Sequence, residues 1–158
     1  MLDILQGHPR GWANPVNARA SAVLPAAGAW DAAPTEFFCT GAKHALIHFT
    51  YTLGAAGGAF DWQLQTSAYS LAANAPAGAQ AWATQSLYDP GALAAGVDTQ
   101  SRAQREYVTY RATVAAVVES FVYGPVDLEG TVERMRIPAR ESGVTGTPGT
   151  LQITVTLY

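Results

Sequence analysis

His44 and His48 stand four residues apart, the spacing at which two imidazoles share one helix face and can chelate zinc. The residues around them alternate between apolar and polar, however, which is the pattern of a strand. Four strand residues span about 13 Å, too far for two imidazoles to reach one ion held at about 2 Å. The glutamate that a zinc-protease helix carries between its histidines is also missing. The pair is expected to be structural, and no metal or other cofactor is expected.

The other chemistry-bearing residues do not assemble into a catalytic set. Asp61, Glu106, Glu119, Asp127, Glu129 and Glu133 are the carboxylates that could face each other across a groove for acid–base work. Nothing in their spacing selects a pair, and acids on outward strand positions are ordinarily cross-strand partners of arginine. No serine lies in a Gly-x-Ser-x-Gly turn; Ser142-Gly143 belongs to a loop. The glycines at 57, 58, 143, 146 and 149 are not followed by a helix opening with Lys-Ser or Lys-Thr, so a phosphate cradle is not expected. Cys39 is the single cysteine, which excludes an internal disulfide and reads as a small buried hydrophobe. No enzymatic role is expected.

Binding residues are easier to nominate. Of the four tryptophans, Trp62 falls on an inward strand position, whereas Trp12 and Trp30 lie in an irregular segment suited to contact. An aromatic platform of this kind would give a glycan-binding or adhesion module. The densest charge cluster is Arg134, Arg136, Arg140 and Glu141, whose outward row could form ion pairs between subunits.

Composition limits the partners. The chain has 158 residues, 49% hydrophobic and 13% charged, with a formal charge of −3. The charged share is about half the usual ~25%, which suits a surface partly covered by copies of itself or by another protein. A nucleic-acid binder would show a basic stripe, and none is present. Eight of the nine basic residues are arginine, the better residue for fixed, planar ion pairing, although a GC-rich genome gives the same bias. The first residues lack a basic stretch leading into an apolar one, so no secretory signal is expected. The longest apolar run, 112–118, is too short to span a bilayer.

These residues must be positioned by strands. Residues 1–40 hold four of the nine prolines and no sustained period, which predicts an extended arm with anchors at Trp12, Val16, Leu24 and Trp30 and one edge strand near 20–24. Residues 41–158 form the expected body. Ile47, Phe49, Tyr51 and Leu53 alternate with polar residues, as do Phe60, Trp62 and Leu64, and the two runs are expected to pair as a hairpin. Further strands are expected at 80–87, 104–114, 117–123, 130–137 and 150–158, the third of them ending before Gly124-Pro125. The last run places Leu151, Ile153, Val155 and Leu157 on one face. About seven or eight strands with Gly/Pro loops predict an all-β sandwich of jelly-roll or Greek-key type.

The segments Tyr123-Gly124-Pro125-Val126-Asp127-Leu128-Glu129-Gly130, Arg136-Ile137-Pro138-Ala139-Arg140-Glu141-Ser142-Gly143 and Thr147-Pro148-Gly149-Thr150-Leu151 resemble small virion proteins of tailed bacteriophages. In these a β-sandwich ends in a long loop and a closing strand. The resemblance implies a non-enzymatic capsid decoration or cement protein, made in the host cytoplasm and located in the virion. It also implies self-association, with a trimer expected, and contact with the major capsid protein or another virion protein. On this reading the arm crosses to a neighbour, the alternative being that it wraps its own domain, and removal of residues 1–35 leaves the sandwich folded but abolishes assembly.

Overall fold

A computed structural model describes residues 15–26, 29–54, 59–69, 76, 81–88, 104–111, 118–128, 132–142 and 146–158. Its strands are β1 (Val16–Val23), β2 (Phe37–Phe38), β3 (His44–Thr52), β4 (Ala59–Trp62), β5 (Gln65–Ser67), β6 (Ala83–Thr84), β7 (Leu87–Tyr88), β8 (Gln104–Arg105), β9 (Val108–Arg111), β10 (Val118–Asp127), β11 (Arg134–Arg136), β12 (Ala139–Glu141) and β13 (Thr150–Leu157). The protein is an all-β sandwich. Its strands are more numerous and shorter than expected, and among the described residues there is no helix.

The front layer is one antiparallel sheet in the order β1-β13-β3-β10. Alternation along β3 buries Ala45, Ile47, Phe49 and Tyr51, and alternation along β13 buries Leu151, Ile153 and Val155. Period-two side chains on a pleated strand produce this division directly. β10 runs past Gly124-Pro125, where the sequence suggested a stop. Its register against β3 shifts between Tyr123 and Val126, and Gly124 takes a φ of +124° with no room for a Cβ against the Ala45 carbonyl. The break expected of glycine and proline is thus a bulge inside a continuing strand.

The back layer is built from short pieces that share one ladder. β5 pairs β11 and β4 pairs β12, with the same register on both sides of the gap. Gln63 and Pro138 occupy that gap, joined by a bond from the Gln63 amide to the Pro138 carbonyl at 3.1 Å. Pro138 has no N–H to return, so the ladder is interrupted at this rung.

The hairpin expected between the strands now labelled β3 and β4 does not form. β3 pairs β10 and β13, whereas β4 pairs β9 and β12. The two strands lie in opposite layers and meet through side chains, with Phe49 4.9 Å from Trp62 and 5.8 Å from Phe60 between ring centroids. Two strongly apolar faces bury more area facing each other than side by side. Phe121 and Tyr110 extend the same aromatic stack at 4.0 Å.

Residues 16–40 belong to this body. β1 pairs β13 from Val16 to Val23, Ala18 and Leu24 are in the core, and the Leu24 amide donates to the Gly149 carbonyl at 2.8 Å. Arg19 fastens the segment, donating to Asp31 Oδ2 at 3.1 Å and to the carbonyls of Ala22 and Leu151. The expected boundary at residue 40 therefore separates no arm from a body over residues 16–40. Removing residues 1–35 deletes an integral strand and a core leucine, and is expected to abolish the cooperative thermal transition.

Glu141 is the deepest polar tie. It is 1% exposed and accepts from the Gly149 amide at 2.9 Å and the Tyr51 hydroxyl at 3.3 Å. Its own amide donates to the Pro25 carbonyl at 2.8 Å. Glu141→Leu leaves two buried donors unpaired and is expected to cost about 3–5 kcal/mol, with Glu141→Gln costing less, measured by denaturant unfolding.

Candidate functional site

The nominated residues separate into three settings. Trp12 lies outside the described residues. Val16 packs against the core from β1 and Leu24 is 2% exposed, so neither offers a side chain to a neighbour. Trp30 lies between two features: the Arg140 guanidinium sits 4.3 Å from its ring, and the ring borders a surface groove.

The ion pairs expected between subunits are made within the chain. Arg134 is 5% exposed and donates to Glu36 Oε2 at 2.5 Å and to the Tyr69 carbonyl at 2.7 Å. Arg140 donates to the buried Asp61 at 2.9 Å, and Thr109 supplies that carboxylate with a second donor at 2.7 Å. Glu141 is buried as described above. Arg134, expected on an outward row, is covered because Trp82 lies over the outer face of the back layer. Arg134 and Arg136 stand 4.9 Å and 4.3 Å from the Trp82 ring centre, a cation–π shelf for both.

Arg136 is the member of the cluster left partly open. It donates through Nε to Gln65 Oε1 at 2.6 Å, and Gln65 Nε2 donates to Gln63 Oε1 at 2.7 Å. Burial lowers its pKa, Glu36 opposes that shift, and Arg134 adds to it. Trp30, Asp31, Gln63, Gln65, Arg136 and Pro138 line a groove of about 150 Å³ together with Ala32 and Pro34. Sequence reasoning nominated Trp30 and Arg136 and missed Asp31, Gln63 and Gln65. The alternation Phe60-x-Trp62-x-Leu64 does place Gln63 and Gln65 together on the opposite face, but the strand they would meet is not legible from spacing.

The remaining candidates are accounted for locally. His48 Nε2 lies 3.4 Å from Thr156 Oγ1, and the His44 ring lies 5.4 Å from that of Tyr158. Among the described residues no three of His, Cys, Asp or Glu are grouped to hold a metal ion. Glu133 accepts from Thr40 at 2.7 Å, and Glu119 accepts a short hydrogen bond from Tyr110. Glu129 lies outside the described residues. Cys39 is buried, its thiol near the Val132 carbonyl at 3.6 Å. Among the described residues no helix is long and apolar enough to cross a membrane.

Comparison with protein-family models, curated proteins and solved structures finds no match to this chain.

Burial and a neighbouring glutamate push three acidic groups up to about 12: Cys39 beside Glu133, Tyr51 beside Glu141 and Tyr110 beside Glu119. Unfolding returns the thiol to about 9 and the phenols to about 10. Between those values and 12 the native state keeps protons that the unfolded state has released, so stability falls as pH rises. Denaturant unfolding from pH 8 to 12 is expected to show this decline beginning near pH 9, with a shallower slope in Tyr51→Phe.

Proposed function

We propose that this protein is a structural, non-enzymatic component of a virus particle, of the capsid decoration or cement type. It would associate with copies of itself and with the major capsid protein. The observation that carries this reading is the outer face of the front sheet. From Val118 to Val122 on β10, Leu46 to Thr52 on β3 and Thr150 to Thr156 on β13, the outward positions hold Val, Ser, Thr, Leu, His and Gln, and no Asp, Glu, Lys or Arg. Val118 and Val122 are more than half exposed, as is Val23 on β1 at the opposite side of the sheet.

Solvated sheets usually decorate such a face and its edge strand with charge, which discourages pairing with other chains. Here the face is flat in chemistry and hydrogen-bonds to itself, as in the Thr50–Ser120 contact at 3.4 Å. A like face from a second copy meets it without burying an unpaired charge. Its footprint, three strands wide and about seven residues long, is on the order of 350 Å². A stable isolated pair buries roughly 800 Å² on each partner. Association through this face therefore favours many weak, repeated contacts, the regime of a lattice component.

The test is the solution mass by light scattering over a hundred-fold dilution. The expected result is an oligomer, a trimer on the resemblance to phage virion proteins, that dissociates on dilution. Val118→Lys with Val122→Lys should shift it to monomer without lowering the thermal midpoint. A monomer at every concentration, or an oligomer indifferent to both lysines, would overturn the assignment of this face.

A further inference from the structure

The groove beside Trp30 arises where the back-layer ladder is interrupted. Gln63 and Pro138 share the broken rung, and Gln65 faces Arg136 on the next regular one. Asp31 approaches from the segment between β1 and β2, and the two chains are tied there by reciprocal bonds: the Asp31 amide donates to the Ala139 carbonyl at 3.1 Å, and the Ala139 amide donates to Asp31 Oδ2 at 3.1 Å. The polar walls at Asp31, Gln63, Gln65 and Arg136 are thus tied by backbone or side-chain hydrogen bonds.

Its hydrogen-bonding orientation is determined. Arginine only donates, so Arg136 Nε fixes the oxygen of Gln65 toward itself and its amide nitrogen toward Gln63 Oε1. That relay leaves Gln63 Nε2 as a donor with no protein partner among the described residues. Among the described residues the Arg136 Nη groups have Glu36 at 4.0 Å as their one ion-pair partner, with the guanidinium face stacked on Trp82, and they retain donor capacity. Asp31 accepts from Arg19 Nε at 3.1 Å, from Arg19 Nη2 at 3.3 Å and from the Ala139 amide. These occupy three of about four lone-pair positions on a carboxylate, leaving one acceptor site on Oδ1. The lining therefore combines two donors, one acceptor and the apolar edges of Trp30 and the prolines.

The charges also balance, because the lining holds one guanidinium and one carboxylate. An anion would meet Asp31 and a cation would meet Arg136, so a neutral ligand is favoured over either. A volume of about 150 Å³ is below the roughly 300–1,000 Å³ of drug-sized sites and suits a single six-membered ring. A ligand whose rim both donates and accepts, and whose C–H face can lie against an indole, matches this inventory.

We propose that the groove binds one neutral pyranose unit, as a free glycoside or as the end of a longer glycan. This site lies in the back layer and goes beyond the assembly reading, which rests on the front sheet.

Calorimetric titration of the full chain with methyl glucopyranoside, methyl galactopyranoside and methyl mannopyranoside tests it, with a methyl hexuronoside as the charged comparison. About a dozen heavy atoms at modest efficiency give dissociation constants in the millimolar range. At least one neutral glycoside should bind saturably in that range, and Gln63→Leu should weaken it at least about tenfold with the thermal midpoint unchanged. Arg136→Lys, which keeps the charge and loses the planar fork, should also weaken binding. Tighter binding of an oligosaccharide ending in the same sugar would mark the glycan end as the source, and equal binding would mark the free glycoside. No saturable binding by any neutral glycoside, preference for the uronoside, or binding indifferent to Gln63→Leu would each overturn the proposal. The Val118→Lys and Val122→Lys chain should bind the glycoside normally, which separates this site from the assembly face.

Discussion

A carboxylate buried at Glu141 holds together parts of the chain that have no other reason to meet. It sits on β12 in the back layer, accepts from Tyr51 on β3 in the front layer, and receives the Gly149 amide just ahead of β13. Burying such a group is costly unless its lone pairs are filled. Filling them requires the Gly149 backbone to approach Tyr51 so closely that a Cβ would overlap the ring. The same approach lets Gly149 accept from Leu24, which leads β1 out of the front sheet. One buried carboxyl group thus ties the two layers to the entry of the closing strand and the exit of the first strand.

Polar ties of this kind also explain why so few charges stand free. Asp61, Glu36, Asp31 and Glu141 are each matched to a donor within the chain, and the arginines that serve Asp61 and Glu36 stack on Trp30 and Trp82 where they leave the core. Arginine suits this use because its plane can stack on a ring while its edge makes hydrogen bonds. The scarcity of charge in the composition is therefore felt most on the front sheet. Its outer face keeps threonines, valines and a glutamine, while the ionised residues are concentrated in the back layer and its margins.

The sequence made the strands legible where one face is buried and the other wet. β3 and β13 follow their alternation almost residue for residue, because period-two patterning records burial directly. It could not show which strands pair. The aromatic runs of β3 and β4 look like two arms of a hairpin, yet alternation is the same for strands side by side and for strands face to face. The irregular stretch 16–40 was misleading for a related reason. Register shifts within β1 and the prolines that flank it erase the period, although Val16–Val23 pairs along the edge of the sheet. Arg134 shows the limit on the site. Its burial depends on Glu36 and Trp82, which are distant in sequence and approach only once β2, β11, β5 and β6 pair within the back layer.

Pro138 links the fold to the groove. A residue with an N–H at this position would complete the rung opposite Gln63 and join β4–β5 and β11–β12 into two uninterrupted strands. With proline there, the Gln63 amide still donates to the Pro138 carbonyl, but the rung is one-sided and the strands part. Asp31 meets the chain one residue later, where the Ala139 amide is free of the ladder to donate to it. The gap thus follows from Pro138, while its acidic wall uses the outward amide of the next residue and its side-chain amides are oriented by Arg136. These residues are separate from the front sheet, so the proposed contact between copies and the proposed recognition at the groove would not compete for the same residues.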